Sequence, residues 1–213
     1  MTAAGVIFDM DGVLVDSGAH HRAAWRALLD ELGVAPPADA WRLTIGRPAE
    51  EGVQRLVGRT LGVDEARRLA ARKQHHYAGF AARGIQPVPG VTGFVERLAG
   101  LGVPRAVATS ASRRDLEQLL RAVGLRHHFA VVVAAEDVRR GKPDPEVYLL
   151  AAEGLGLAPG TCLVFEDSLV GVEAARRAGM TVVGVSTAHA EGELVAAGAA
   201  RVIGSFEGVT WPP

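Results

Sequence analysis

The apolar run Val6-Ile7-Phe8 stops at two carboxylates one residue apart, Asp9 and Asp11, and a glycine turn at Gly12 follows. Two anions this close raise each other's pKa unless a cation or hydrogen-bond donors offset the repulsion. Stability alone does not ask for such a pair, although an Asp-Gly turn that merely caps the next helix is a competing explanation. A hard, oxygen-seeking cation such as Mg²⁺ is what the pair predicts. Leu163-Val164-Phe165 repeats the pattern and ends in Glu166-Asp167-Ser168. Buried charges need a partner, so this second acidic tip calls for the same cation.

Two further segments carry groups that suit a phosphate. Ala106-Val107-Ala108 runs into Thr109-Ser110, where the Ser110 hydroxyl and the following backbone N–H groups could hold phosphate oxygens, or simply cap a helix. In Arg140-Gly141-Lys142-Pro143-Asp144-Pro145, Lys142 is pinned between glycine and proline. A lysine on so stiff a loop is a placed cation unless it is only an exposed turn residue.

From about residue 90 onward, β-branched runs alternate with amphipathic segments. The runs are 105–109, 130–134, 162–165, 181–185 and 201–203. Helices are expected over 115–123, 146–155 and 171–178, with Gly124, Gly156 and Gly179 at or just past their ends. This β-α repetition is the mark of a parallel sheet covered by helices. In open sheets of that kind, ligands bind beyond the carboxyl ends of the strands, where Asp9 and Asp11 lie.

Residues 17–84 hold no comparable strand run and read as helices. Ser17 is the expected N-cap of the first, with Ala24, Leu28 and Leu32 on one face, Gly33 as its stop, and a break at Pro36-Pro37. Further helices are expected over 49–61 and 64–82, the latter with Ala66, Ala70 and Gln74 on one face and its Arg and Lys residues in water. The return through 84–90 is rich in glycine and proline and suits a hinge. The expected fold is therefore α/β, a Rossmann-like parallel sheet flanked by helices, comprising residues 1–16 and 87–213, with an inserted all-helical cap domain over 17–86. A helical lid over the strand-1 acids would exclude water from the site.

Composition bounds the partners. The 213 residues are 48% hydrophobic and 22% charged, with a net charge of −1. That charge gives no basic field for nucleic acid or anionic membrane. No stretch approaches the roughly 20 apolar residues of a membrane span, and no signal-peptide pattern opens the chain, so the cytoplasm is the expected location. Cys162 is the single cysteine, expected buried in a strand and without a catalytic role. Oligomeric state is not set by the sequence.

Taken together, these motifs resemble the haloacid dehalogenase superfamily over essentially the whole chain, in its helical-cap branch of phosphatases and β-phosphoglucomutase-like enzymes. The stretch from Asp9 through Ser17 matches the first family motif, Ser110 the second, Lys142 in Gly141-Lys142-Pro143 the third and Glu166-Asp167-Ser168 the fourth. The resemblance implies that Asp9 is a nucleophile forming an aspartyl phosphate and Asp11 a general acid and base. It implies that Ser110 and Lys142 bind phosphate, and that Mg²⁺ is held by Asp9, Asp11 through its carbonyl, Glu166 and Asp167. Dehalogenases of the superfamily lack the second Asp, so phosphoryl transfer is the implied chemistry.

The same resemblance places His21 where β-phosphoglucomutase-like members carry a histidine near the acid/base, the alternative being a solvated helix-face histidine; the adjacent His20 must face elsewhere on the helix. Leu43 to Ala49 aligns with the substrate loop of the mutases, but Ile45 and Ala49 stand where those enzymes carry lysine and arginine. Arg47 is a candidate to grip an anionic group or else an exposed loop arginine, and Arg113 and Arg114 either reach the same cavity or merely decorate a helix start, where their charge is unfavourable. The expected substrate is a small phosphorylated metabolite, a sugar phosphate foremost, and the expected activity is Mg²⁺-dependent hydrolysis. The alternatives are a sugar phosphomutase and, from another class, a non-catalytic phospho-ligand-binding module.

Overall fold

The computed structural model describes residues 3–35 and 40–212; the expected break at Pro36-Pro37 lies outside them. The described residues form six strands: β1 (Gly5–Phe8), β2 (Arg105–Ala108), β3 (Val131–Val133), β4 (Cys162–Glu166), β5 (Thr181–Val185) and β6 (Arg201–Ile203). All pair in parallel, in the order β3-β2-β1-β4-β5-β6. The strands agree with the expected runs to within one residue at either end, because buried parallel strands are apolar on both faces and stand out in sequence. Chain order reverses between β1 and β4, the crevice where open α/β sheets bind ligands. Phe8 is level with Phe165 across that crevice, and the Asp9 N–H donates to the Phe165 carbonyl at 3.0 Å. Asp9 and Glu166 therefore leave the sheet side by side.

Between β1 and β2 the chain forms α1 (Gly18–Leu32), a 3₁₀ turn (Ala40–Thr44), α2 (Ala49–Val57), α3 (Val63–Ala81) and α4 (Val91–Gly100). The remaining helices are α5 (Arg113–Ala122), α6 (Glu146–Leu155), α7 (Leu169–Arg177) and α8 (Glu191–Ala197). Side chains of β1 alternate between two cores. Val6 and Phe8 pack with Phe94 of α4 and Leu120 of α5, whereas Ile7 faces Tyr148 of α6 and Val172 of α7. Helices α1 to α3 share a third cluster built on Trp25, Leu28, Val53, Leu56 and Leu69. Each leucine buried there contributes about 1.5–3 kcal/mol, so this helical layer has an apolar core of its own.

Two crossings join the layer to the sheet, and they run side by side. The Asp16 N–H donates to the Gln86 carbonyl at 2.9 Å and the Val88 N–H to the Leu14 carbonyl at 3.2 Å. His20 turns away from the sheet edge, with Nε2 3.2 Å from the Gly84 carbonyl.

Local expectations need three corrections. Helix α2 stops at Val57 rather than at 61, because Gly58 turns left-handed at φ 74°. Ser17 sits at the N-cap of α1 but makes no side-chain cap: its backbone is αR, at φ −100° and ψ −9°, and its hydroxyl is buried without a hydrogen-bond partner among the described residues. An N-cap side chain reaches the first turn from an extended backbone, which Ser17 lacks. Lys73 is buried on α3 rather than solvated. It belongs to the stripe Ala66, Leu69, Ala70, Lys73, Tyr77 and Ala81 that faces the interior. Among the described residues, no helix is long and apolar enough to cross a membrane.

Candidate active site

Four of the expected site residues meet at the β1/β4 crevice. Lys142, carried by the loop before α6, is 1% exposed and donates to Asp9 Oδ1 at 2.6 Å and to Glu166 Oε1 at 2.7 Å. Its chain lies over Tyr148, whose hydroxyl donates to the same Glu166 oxygen at 3.0 Å. Glu166 Oε2 accepts from the Ser168 N–H at 2.6 Å and from its hydroxyl at 2.9 Å. Close packing holds this arrangement, since a Cβ on Gly171 would fall 1.6 Å from Glu166 Oε1. Burial opposes the Lys142 charge, but Asp9 and Glu166 outweigh it and hold its pKa well above the usual lysine value.

The donor set fits a divalent cation. Asp9, Glu166 and Asp167 are buried with ligand atoms within 4.8 Å of one another, and among the described residues Lys142 is the one cation bonded within this group. Burial pushes Asp9 up to about 7 although Lys142 pulls it down. Asp167 is raised well above the usual carboxylate range by burial and by the charges of Glu166, Asp9 and Asp11. Three acids against one lysine leave a deficit of positive charge, and hard oxygen donors are what Mg²⁺-sized cations take.

Asp11 stands apart in a second network. His21 Nε2 lies 3.1 Å from Asp11 Oδ1, and His21 Nδ1 lies 2.8 Å from Lys73 Nζ. An ammonium can only donate, so Nδ1 carries the lone pair and Nε2 the proton that is given to Asp11. Burial and the Lys73 charge hold His21 below its usual pKa, so the ring is neutral. Burial works against the Asp11 charge, but His21, with Lys73 behind it, outweighs burial and lowers the Asp11 pKa. Lys73 is itself lowered to about 8 by burial. Tyr77 completes the group, stacked on His21 at 4.2 Å between ring centroids.

Above these groups, between the sheet edge and helices α1 to α3, is a cavity of about 790 Å³, within the range of small-molecule sites. Asp9, Asp11, Ser110 and Lys142 line it from the sheet side, and Trp41, Arg47 and Gln74 from the helical layer and its connections. The two layers touch directly. Ser110 Oγ donates to the Gly46 carbonyl at 3.0 Å. Gly46, left-handed at φ 73°, rests on Ser168, where a Cβ would come within 2.3 Å of the hydroxyl oxygen. At the rim, Arg42 grips both carboxylate oxygens of Glu193 on α8 at 2.6 Å.

The expected cations at the mouth fare differently. Arg47 lines the cavity but is bonded to Glu51 at 3.1 Å. Arg113 is a correction: its guanidinium pairs with Asp137, its N–H donates to Glu136 at 2.9 Å, and it does not line the cavity. Those acids resolve the unfavourable charge at the α5 start. Arg114 is exposed and does not line the cavity either. Sequence reasoning missed Lys73, Tyr77 and the aromatic lining at Trp25 and Trp41. The heptad offset of Lys73 from Ala66, on the apolar stripe, was the available signal.

A family model described as haloacid dehalogenase-like hydrolase matches residues 3–179. The chain is 36% identical over 182 residues to the fructose-1-phosphate phosphatase YqaB of Escherichia coli, covering 85% of this chain and 96% of that one. It is 34% identical over 200 residues to a phosphorylated carbohydrates phosphatase of Thermotoga maritima, covering 93% of each. Its fold matches that of a β-phosphoglucomutase from Clostridium difficile with a TM-score of 0.87 at 23% identity, over 100% of this chain and 95% of that one.

Proposed function

Because this chain belongs to the haloacid dehalogenase-like hydrolase family and is a phosphoric monoester hydrolase, we propose that it hydrolyses small sugar phosphates with Mg²⁺ through an aspartyl phosphate on Asp9. The enzyme acts in the cytoplasm on free metabolites, with residues 17–86 as a cap over a core of 1–16 and 87–213. The observation that carries this reading is the convergence of Asp9, Lys142 and Asp167 beneath one cavity, with Asp11 on its wall.

Asp9 attacks phosphorus and the ester oxygen departs, which splits the displacement into two easier steps. A cation held by Asp9, the Asp11 carbonyl, Asp167 and Glu166 would supply charge neutralisation at the phosphoryl oxygens. Lys142, bonded to Asp9 at 2.6 Å, orients the nucleophile and offers positive charge to a phosphoryl oxygen. Ser110 gives its hydroxyl to a second oxygen, releasing the Gly46 carbonyl as it does so. Asp11 rests as a carboxylate under the His21 N–H. The charge of an arriving phosphate raises its pKa toward the protonated form that gives a proton to the leaving alcohol. As a carboxylate again, it takes a proton from the water that hydrolyses the aspartyl phosphate. Helices α1 to α3 exclude bulk water during the first step.

Hydrolysis is favoured over mutase chemistry by the cavity itself. Ile45 and Ala49 both line it, and neither can hold the distal phosphate of a bisphosphate intermediate, while Arg47 is engaged by Glu51. The relatives' names support sugar phosphates as substrates. A phosphate-release screen across ketose, aldose and polyol phosphates with Mg²⁺ tests the reading, alongside a coupled assay for glucose 6-phosphate from β-glucose 1-phosphate. Free phosphate from at least one sugar ester, without isomerisation, is expected. Glucose 6-phosphate as the main product would make the enzyme a mutase.

A further inference from the structure

The connection between β5 and α8 approaches the acidic cluster from a side that none of the expected motifs occupies. Thr187 is exposed as a residue, yet its hydroxyl turns inward. Oγ1 lies 2.7 Å from the Gly12 carbonyl and 3.2 Å from Asp167 Oδ2. With one proton and two acceptors, it bridges the turn after Asp11 to the carboxylate at the end of β4. The fit there is tight. A Cβ on Gly12 would fall 1.9 Å from Asp167 Oδ2 and 2.9 Å from Thr187 Oγ1. Two residues on, His189 is 7% exposed, and its Nδ1 lies 3.0 Å from the Asp167 main-chain carbonyl. A carbonyl only accepts, so Nδ1 carries the proton and holds the Asp167 backbone.

We propose that Thr187 and His189 are positioning residues for Asp167, the first orienting its carboxylate toward the cation and the second fixing its main chain. The assignment rests on the reading of Asp167 as a metal ligand. Groups that orient a metal-binding carboxylate typically change metal affinity by about 10–100-fold when removed. Thr187 does so without touching the ester, and both acceptors of its hydroxyl belong to residues flanking the site. Threonine suits the task because its branched side chain has few rotamers, which keeps the hydroxyl aimed at both oxygens.

The test is Mg²⁺ binding to the substrate-free protein by calorimetry, with the melting temperature of the metal-free form as a check on folding. Thr187→Val keeps the shape and loses the donor. It should weaken Mg²⁺ about tenfold or more, and Thr187→Ser should restore most of the affinity. Thr187→Val should also regain the larger part of kcat when Mg²⁺ is raised well above its new dissociation constant. His189→Asn, whose amide can replace Nδ1–H, should bind Mg²⁺ more tightly than His189→Leu. Asp167→Asn separates the two levels of inference. If it binds Mg²⁺ as wild type does, the metal assignment is wrong and the positioning role with it. If Asp167→Asn loses Mg²⁺ while Thr187→Val and His189→Leu bind it normally, the metal assignment stands and the positioning role is overturned.

Discussion

The Lys73 ammonium and the His21 ring meet at 2.8 Å, and the direction of that hydrogen bond sets every proton beyond it. Because the lysine must donate, the imidazole presents N–H to Asp11 and cannot take a proton from it. A buried cation thus helps keep Asp11, the proposed acid/base, ionised through the intervening ring.

Lys73 makes that arrangement at the expense of stability. Its pKa falls from 10.5 unfolded to about 8 folded. A depressed base contributes stability above its unfolded pKa that is lost as pH falls through the folded one. The loss is about 3 kcal/mol at most by pH 7. Lys73→Met should therefore raise unfolding stability at pH 7 and leave it nearly unchanged at about pH 11, above the unfolded lysine pKa, as read by urea denaturation. The wild-type kcat/KM should decline above about pH 8 as the ammonium is lost, and the variant should be slower throughout without that limb. An unchanged alkaline limb in the variant would assign it to another group.

Replacing Asp9, the proposed nucleophile, should stop the reaction while sparing the fold. Asp9→Asn is expected to lower turnover of the best sugar phosphate by about three orders of magnitude or more. It should also abolish the phosphoenzyme that rapid quench is expected to trap in wild type. A phosphoenzyme in the variant would move the nucleophile elsewhere.

Metal removal should act on both activity and stability, because among the described residues the buried cluster of Asp9, Glu166 and Asp167 is met by one lysine, which bonds Asp9 and Glu166 and leaves Asp167 without a bonded cation. Dialysis against EDTA should eliminate turnover, and Mg²⁺ should restore it. Mg²⁺ at about 100 times its dissociation constant should stabilise the fold by about 2.7 kcal/mol, measurable as a rise in Tm. Full activity after exhaustive chelation would remove the cation from the mechanism.

The Arg42–Glu193 pair should report on closure. Its side chains are 37% and 41% exposed, so it contributes about 0.2–1 kcal/mol and is screened by salt. Arg42→Ala should raise KM by up to about fivefold at low ionic strength, and the difference from wild type should shrink toward 0.5 M salt, an ionic strength at which the screening length is only about 3–5 Å. Glu193→Gln should reproduce the effect, and the double variant should add little. Additive losses would show that the two residues act separately.

The sheet is legible in the sequence because a buried parallel strand is a short β-branched run, and its acidic tips are legible because carboxylates are out of place there. Even Cys162 does not obscure its strand, since it is small and apolar enough to continue the run and is buried in β4. Helices α4 and α8 are harder to see: glycines at Gly93, Gly100 and Gly192 dilute their helical pattern. Tertiary packing supplies what propensity lacks, as Phe94 and Leu98 of α4 are fully buried against the sheet. Lys73 is illegible for a different reason. A lysine among arginines on a helix reads as solvated, and only the assembled layer shows that His21, Trp25 and Tyr77 enclose it. Arg113 misleads in the converse way, since its partner Asp137 lies in the 3₁₀ turn Ala135–Asp137 after β3, 24 residues along the chain.

The bare backbone of Gly46 against Ser168 sets the clearance between roof and floor. Any side chain there would act as a spacer, pressing on the Ser168 hydroxyl that holds Glu166 and drawing the Gly46 carbonyl from Ser110, and would admit water and bulkier alcohols alike. Breadth of substrate range and exclusion of water would then trade against each other through one methyl group.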